Sequence, residues 1–142
     1  MVTSDRVLRT NAAIFAVVFA FVVASGWVPS WIQHVGNERM LFGLFMMSAL
    51  DDITHGVTAL ACAVAAMHSA RLVRLVFVTF GSYYALDAVF YLLYGTVNGK
   101  GWTANILLNL PHVAISIWML GLAYMRPRDA TSAARFEAAP AR

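Results

Sequence analysis

A chain of 142 residues that is 61% hydrophobic and only 12% charged falls well short of the roughly one-quarter charged residues of an ordinary soluble domain. Its net charge of +3 does not point to nucleic acid, because the basic residues flank apolar segments and do not form one face. A single cysteine, Cys62, rules out an intrachain disulfide, and no zinc-ligand spacing occurs.

Four apolar stretches, near 11–33, 49–68, 72–94 and 103–125, each approach the ~20 residues needed to cross a bilayer. Backbone groups in lipid must be satisfied within the segment, so all four are expected to be helices. They lack the alternation of barrel strands. The predicted fold is all-α: a four-helix transmembrane bundle over residues 1–128, followed by a disordered cytoplasmic tail at 129–142.

In chain order, residues 1–10 form a lead with Arg6 and Arg9. Asn11 is placed to cap helix 1. Ala24, Ser25 and Gly26 resemble a signal-peptide cleavage region, but the apolar character continues through Trp27, Val28, Trp31 and Ile32, so the segment is read as a retained span. Trp27 and Trp31 suit an outer aromatic belt, and Pro29 ends or bends the helix. "IQHVGNER" is an outer connection. "MLFGLFMMSAL" is apolar yet precedes Asp51; helical, re-entrant and surface-lying readings stay open. A break near Ser48–Asp51 is preferred, with Asp51 capping a shorter helix 2. "HSARLVR" is the inner turn and "TVNGKG" the outer one. In helix 4, Pro111 should introduce a kink beside His112 and free the carbonyl of Leu107.

Arg6, Arg9, Arg71, Arg74, Arg126, Arg128, Arg135 and Arg142 fall on one side of these spans, and only Arg39 and Lys100 on the other. This asymmetry puts both termini in the cytoplasm. An offset of 57 superimposes His55 on His112, Asp52 on Asn109 and Ala59 on Ser116. It also carries helix 1 onto helix 3, so the chain reads as two repeated helix pairs. His55 and His112 each lie about 12 residues from the inner helix end, roughly 18 Å. Asp87 reaches the same layer. Asn105, Asn109, His112 and Ser116 make one stripe on helix 4; Tyr84, Asp87, Tyr91 and Tyr94 make another on helix 3. Asp52, His55 and Ala59 share a face of helix 2, whose Gly56, Ala59, Ala63 and Ala66 allow close helix approach. Helix 1 is nearly free of polar groups and is read as a wall.

Intramembrane ionisable groups cost about 2.5–3.5 kcal/mol each on insertion scales. Asp52, His55, Asp87, Asn109 and His112 are therefore the leading candidates for a ligand or proton site, with Asp51, Tyr84, Asn105 and Ser116 secondary. Two bland readings stand beside this one. Asp51 can be only a cap, and the whole set can be a hydrogen-bond network that holds helices together. Asn105 can equally be a surface residue near the outer turn. Three functional classes follow: a small-ligand or proton-sensing bundle; a structural or accessory subunit with a membrane-protein partner or a second copy; and a haem- or metal-binding redox protein using His55 and His112. No cofactor is required by the sequence. Without a motif for nucleotide, phosphate or covalent chemistry, enzyme activity is not expected.

The segment "LFGLFMMSALDDITHG" resembles the first histidine region of a family of small four-helix bacterial inner-membrane proteins of unknown function. There an acid or amide precedes a histidine by three residues and a glycine often follows. "NILLNLPHVAISIWMLG" resembles the recurrence of that segment in the last helix. The likeness covers roughly residues 8–125. This chain departs from it in Val113, where the family has glycine, and in Pro111. The resemblance implies a bacterial inner-membrane location, marks Asp52, His55, Asn109 and His112, and implies no particular chemistry.

Overall fold

A computed structural model describes residues 2–35, 38–97 and 102–127. The expected tail at 129–142, the turn residues 98–101, Lys100, Arg128, Arg135 and Arg142 lie outside the described residues, as does the Tyr94 side chain. A two-residue strand β1 (Val2–Thr3) leads into α1 (Asp5–Ser25). Helix α1 starts a turn and a half before Asn11. Ser4 caps it, its Oγ accepting the Val7 N–H at 3.3 Å, with Asp5 in the first turn; an acid there complements the positive helix end. Asn11 is instead an interior residue whose Nδ2 donates to the Val7 carbonyl at 2.8 Å.

The apolar run past Ser25 is not helical. Val28 is extended (φ −89°, ψ 108°) before Pro29, as the proline ring demands of its predecessor, and Pro29–Trp31 form a single 3-10 turn. An antiparallel meander follows: β2 (Ile32–Val35), β3 (Glu38–Leu41) and β4 (Phe45–Met47). Ile32 pairs with Leu41, and Leu41 with Phe45. The turn between β3 and β4 takes Phe42 to φ 55° and Gly43 to φ 69°. The Gly43 φ lies in the left-handed region that favours glycine, and a Cβ there would press on the end of the Gln33 side chain at 2.6 Å. The stretch at 40–47 is thus sheet, which none of the sequence readings included.

Helix α2 (Ala49–His68) begins at a reciprocal cap: the Asp51 N–H donates to Ser48 Oγ (3.2 Å) and the Ser48 N–H to Asp51 Oδ2 (2.8 Å). The break expected near Ser48–Asp51 is present, with Ser48 as the cap and Asp51 as its partner. Ser69 alone separates α2 from α3 (Ala70–Val97); its Oγ accepts the Leu72 N–H at 3.2 Å. Helix α4 (Trp102–Tyr124) contains Pro111. It is followed by β5 (Arg126–Pro127), which pairs in parallel with β1.

Among the described residues, four helices are long and apolar enough to cross a membrane. Packing is densest within the pairs α1–α2 and α3–α4, and slighter between α2 and α3. Helices α1 and α4 barely approach each other by backbone; Trp118 spans the gap, its ring 5.5 Å from that of Phe15 and its Nε1 donating to Asn11 Oδ1 at 3.1 Å. Toward the end shared by both chain termini lies a dry core that includes Leu8, Phe15, Cys62, Phe77 and Met119. Arginines seal that end. Arg9 donates to the carbonyls of Ala66 and Met67 (2.7 and 3.2 Å), and Arg74 to those of Ala123 and Met125 (both 2.6 Å). These carbonyls lie at or just past the C-terminal ends of α2 and α4, where backbone acceptors lack helical partners and the helix dipole is negative. Gly56 faces open space, contrary to its expected role in close packing; Gly81 fills that role, since a Cβ there would sit 3.0 Å from Leu120 Cγ.

Candidate functional site

The other half of the bundle holds the polar groups, and the helical registers determine which of them meet. Asp87 on α3 and His112 on α4 face each other across the most tightly packed helix pair. His112 Nδ1 lies 3.0 Å from Asp87 Oδ2, with the side chains 25% and 19% exposed. This is ion-pair distance without the alignment of a directed hydrogen bond, so the Nδ1 remains without a hydrogen-bond partner. The contact is ionic when the imidazole carries its second proton.

His55 joins His112 through rings. Their centroids are 6.3 Å apart. Tyr84 stacks on both, at 6.0 Å from His55 and 5.5 Å from His112. Phe19 of α1 completes the group, at 5.3 Å from Tyr84 and 5.6 Å from His55. The wall helix therefore contributes a ring to the cluster. The Tyr84 hydroxyl and Thr58 Oγ1, 3.0 Å apart and buried, share a hydrogen bond. His55 Nδ1 is buried and lacks a well-formed hydrogen bond, although the Asp51 backbone one turn back lies close enough to act on it.

Asp52 is not with His55 or Asp87. Its Oδ2 accepts from Arg39 Nη1 at 3.2 Å, while Arg39 Nη2 donates to the Gly26 carbonyl at 2.7 Å. Arg39, which in the sequence registers only as an outer positive charge, thus ties the meander to the ends of α1 and α2. Asp52 Oδ1 stays buried and unpartnered. Asn105 is buried, not a surface residue; its Nδ2 donates to the Leu92 carbonyl at 2.8 Å, and Asn109 Nδ2 donates in turn to the Asn105 carbonyl at 2.8 Å. Ser116 donates to the Val113 carbonyl of its own helix at 3.0 Å.

A cavity of about 580 Å³ adjoins this cluster, between the C-terminal half of α1, the meander, the start of α2 and α4. Asp51, His55, Asn105, Asn109 and His112 line it among many apolar side chains; Asp52, Asp87, Tyr84 and Ser116 do not reach it. Sequence reasoning did not single out Arg39, Thr58 or Phe19. Thr58 carried a readable signal, lying one turn beyond His55 on α2; the roles of Arg39 and Phe19 depend on tertiary pairing.

Among the described residues, no group of three or more His, Cys, Asp or Glu side chains converges as metal ligands. No protein-family model, curated protein or solved structure matches the chain, so the likeness to small four-helix bacterial membrane proteins rests on the two histidine segments alone.

Proposed function

We propose that the chain is a multi-pass inner-membrane protein that binds or senses a small ligand or a proton through the buried polar cluster beside its cavity. The observation that carries this reading is the opposition of Asp87 and His112 at 3.0 Å, with His55 in ring contact and both histidines on the cavity wall. Ionisable groups at such depth are costly to insert, and polar contacts between membrane helices return only about 0.6 kcal/mol on average. A purely structural network returns little for two histidines and an acid.

Membrane residence is supported by the outward faces. Val17, Leu60, Leu86 and Ile117, one from each helix, are 66–71% exposed, apolar side chains that suit lipid better than water. The two-pair repeat is supported by the matching arginine seals. Arg9 closes the end of α2 and Arg74 closes the end of α4. The second histidine motif follows the first by 57 residues, whereas the arginines are 65 apart, because the meander lengthens the first connection.

Native mass spectrometry of gently extracted protein tests the reading. A mass above that of the bare chain, lost in the His55→Ala/His112→Ala variant with helicity retained, is the expected result for a retained ligand. For proton sensing, the same variant should abolish a pH-dependent change in Trp118 fluorescence. A bare chain whose pH response survives the double substitution sinks both forms. An accessory role would show as a stable heteromeric partner in the same spectrum.

A further inference from the structure

The cavity has a direction. Trp118 bridges α1 and α4 only toward the chain-terminal half; beyond it the two helices are lined by Val18 and Val22 on one side and Leu108 and Ile115 on the other. Over the top lies the meander, which presents Leu41, Phe45 and Met47 to the cavity and is held down by Arg39. An aqueous solute from the outer face would have to pass this apolar cover, whereas an apolar chain can slide in from the side between α1 and α4.

Two of the charges around the cavity are paired. Asp87 faces His112 and Asp52 faces Arg39, while the Asp51 carboxylate is held by the Ser48 N–H and hydroxyl. What the site offers is hydrogen bonding, from the His55, His112 and Asn109 side chains on the wall. Mostly apolar walls with a few convergent polar groups are the usual form of a small-molecule site of this volume.

Resting on the ligand-binding reading above, we propose that the cavity takes a neutral amphiphile from the bilayer. Its alkyl or isoprenoid chain lies in the cleft between α1 and α4, and its compact hydrogen-bonding head reaches His55, Asn109 and His112. Binding requires no change of charge at the site, and the meander and its Arg39 tether stay in place while the ligand enters from the membrane.

The test is photolabelling of the full chain in phosphatidylcholine nanodiscs with a long-chain alcohol carrying a diazirine in its tail. The same tail without a head, and the same tail ending in phosphate or trimethylammonium, serve as comparators. Adducts are expected on the cleft residues of α1 and α4, with the alcohol about fivefold above the headless tail, the ratio that one hydrogen bond supplies. Leu108→Trp should remove the labelling by filling the cleft, and Ile115→Phe provides a milder block if the first variant misfolds. His55→Leu should erase the preference for the alcohol while leaving the tail labelling.

Equal labelling of the outward residues Leu60 and Leu86, or a preference for either charged head, overturns the proposal. If the amphiphile fails while a mass or pH response dependent on His55 and His112 persists, only the lateral amphiphile is lost. If both fail, the ligand-binding reading falls with it.

Discussion

At the level of single residues, the cluster separates into groups that hold the fold and groups that remain available. Thr58 and Tyr84 satisfy each other's hydroxyls at 3.0 Å in a buried setting. Thr58→Val and Tyr84→Phe should each cost about 1 kcal/mol. The double variant should cost less than the sum, because the interaction is lost only once. Equilibrium unfolding in mixed micelles measures this coupling, and strict additivity would mean that the hydroxyls do not interact. Asp87 is different. Replacing it with alanine leaves His112 without its carboxylate partner in a partly buried site, so the α3–α4 pair should be destabilised by roughly 1–2 kcal/mol. Asp87→Asn keeps a polar partner of similar shape and should cost less. Equal loss in both variants would show that the carboxylate charge contributes nothing.

At the level of elements, Asp51 has two roles to separate, since it closes the cap of α2 and also lines the cavity. Ser48→Ala removes the capping hydroxyl and leaves the Asp51 charge in place. It should weaken the first turn of α2 by about 1 kcal/mol, visible as faster hydrogen exchange at 50–53, without altering ligand or proton response. Asp51→Asn keeps a capping oxygen but removes the charge; a response lost there and retained in Ser48→Ala assigns the carboxylate to the site. The start of α2 was legible in the sequence because Ser48 and Asp51 carry a local capping signature. The start of α1 was misplaced because Arg6 and Arg9 read as a topology flank, although Arg9 works as a helical residue reaching across to α2. The meander was illegible for another reason. "MLFGLFMM" has no alternation; its turn passes through the left-handed Gly43 and is held by the Phe42 N–H donating to the Trp31 carbonyl, while Arg39 ties the meander to Gly26. His55, Asp87, Asn109 and His112 were legible by depth and spacing, since helical registers are local. That Asp52 would leave this group for Arg39 depended on a sheet the sequence did not announce.

At the level of the whole molecule, the distribution of free charge bears on orientation. Among the described residues, Arg6, Arg9, Arg71, Arg74 and Arg126 belong to the end of the bundle where both termini emerge. Arg9 and Arg74 bond there to backbone carbonyls and not to carboxylates, so their charge is undiminished. At the far end Arg39 is neutralised by Asp52. Among the described residues this leaves the unpaired positive charge at the terminal end, and the positive-inside rule then supports the proposed placement of that end on the cytoplasmic side. Cysteine accessibility in intact cells checks this. Cys62 is fully buried, so Cys62→Ala supplies a silent background. On it, His34→Cys in the exposed β2 strand should react with a membrane-impermeant maleimide added outside, and His68→Cys at the exposed end of α2 should react only after permeabilisation. The reverse pattern would turn the molecule over and place the meander, with the cavity beneath it, toward the cytoplasm. Labelling of both sites from outside would remove the membrane-spanning reading itself.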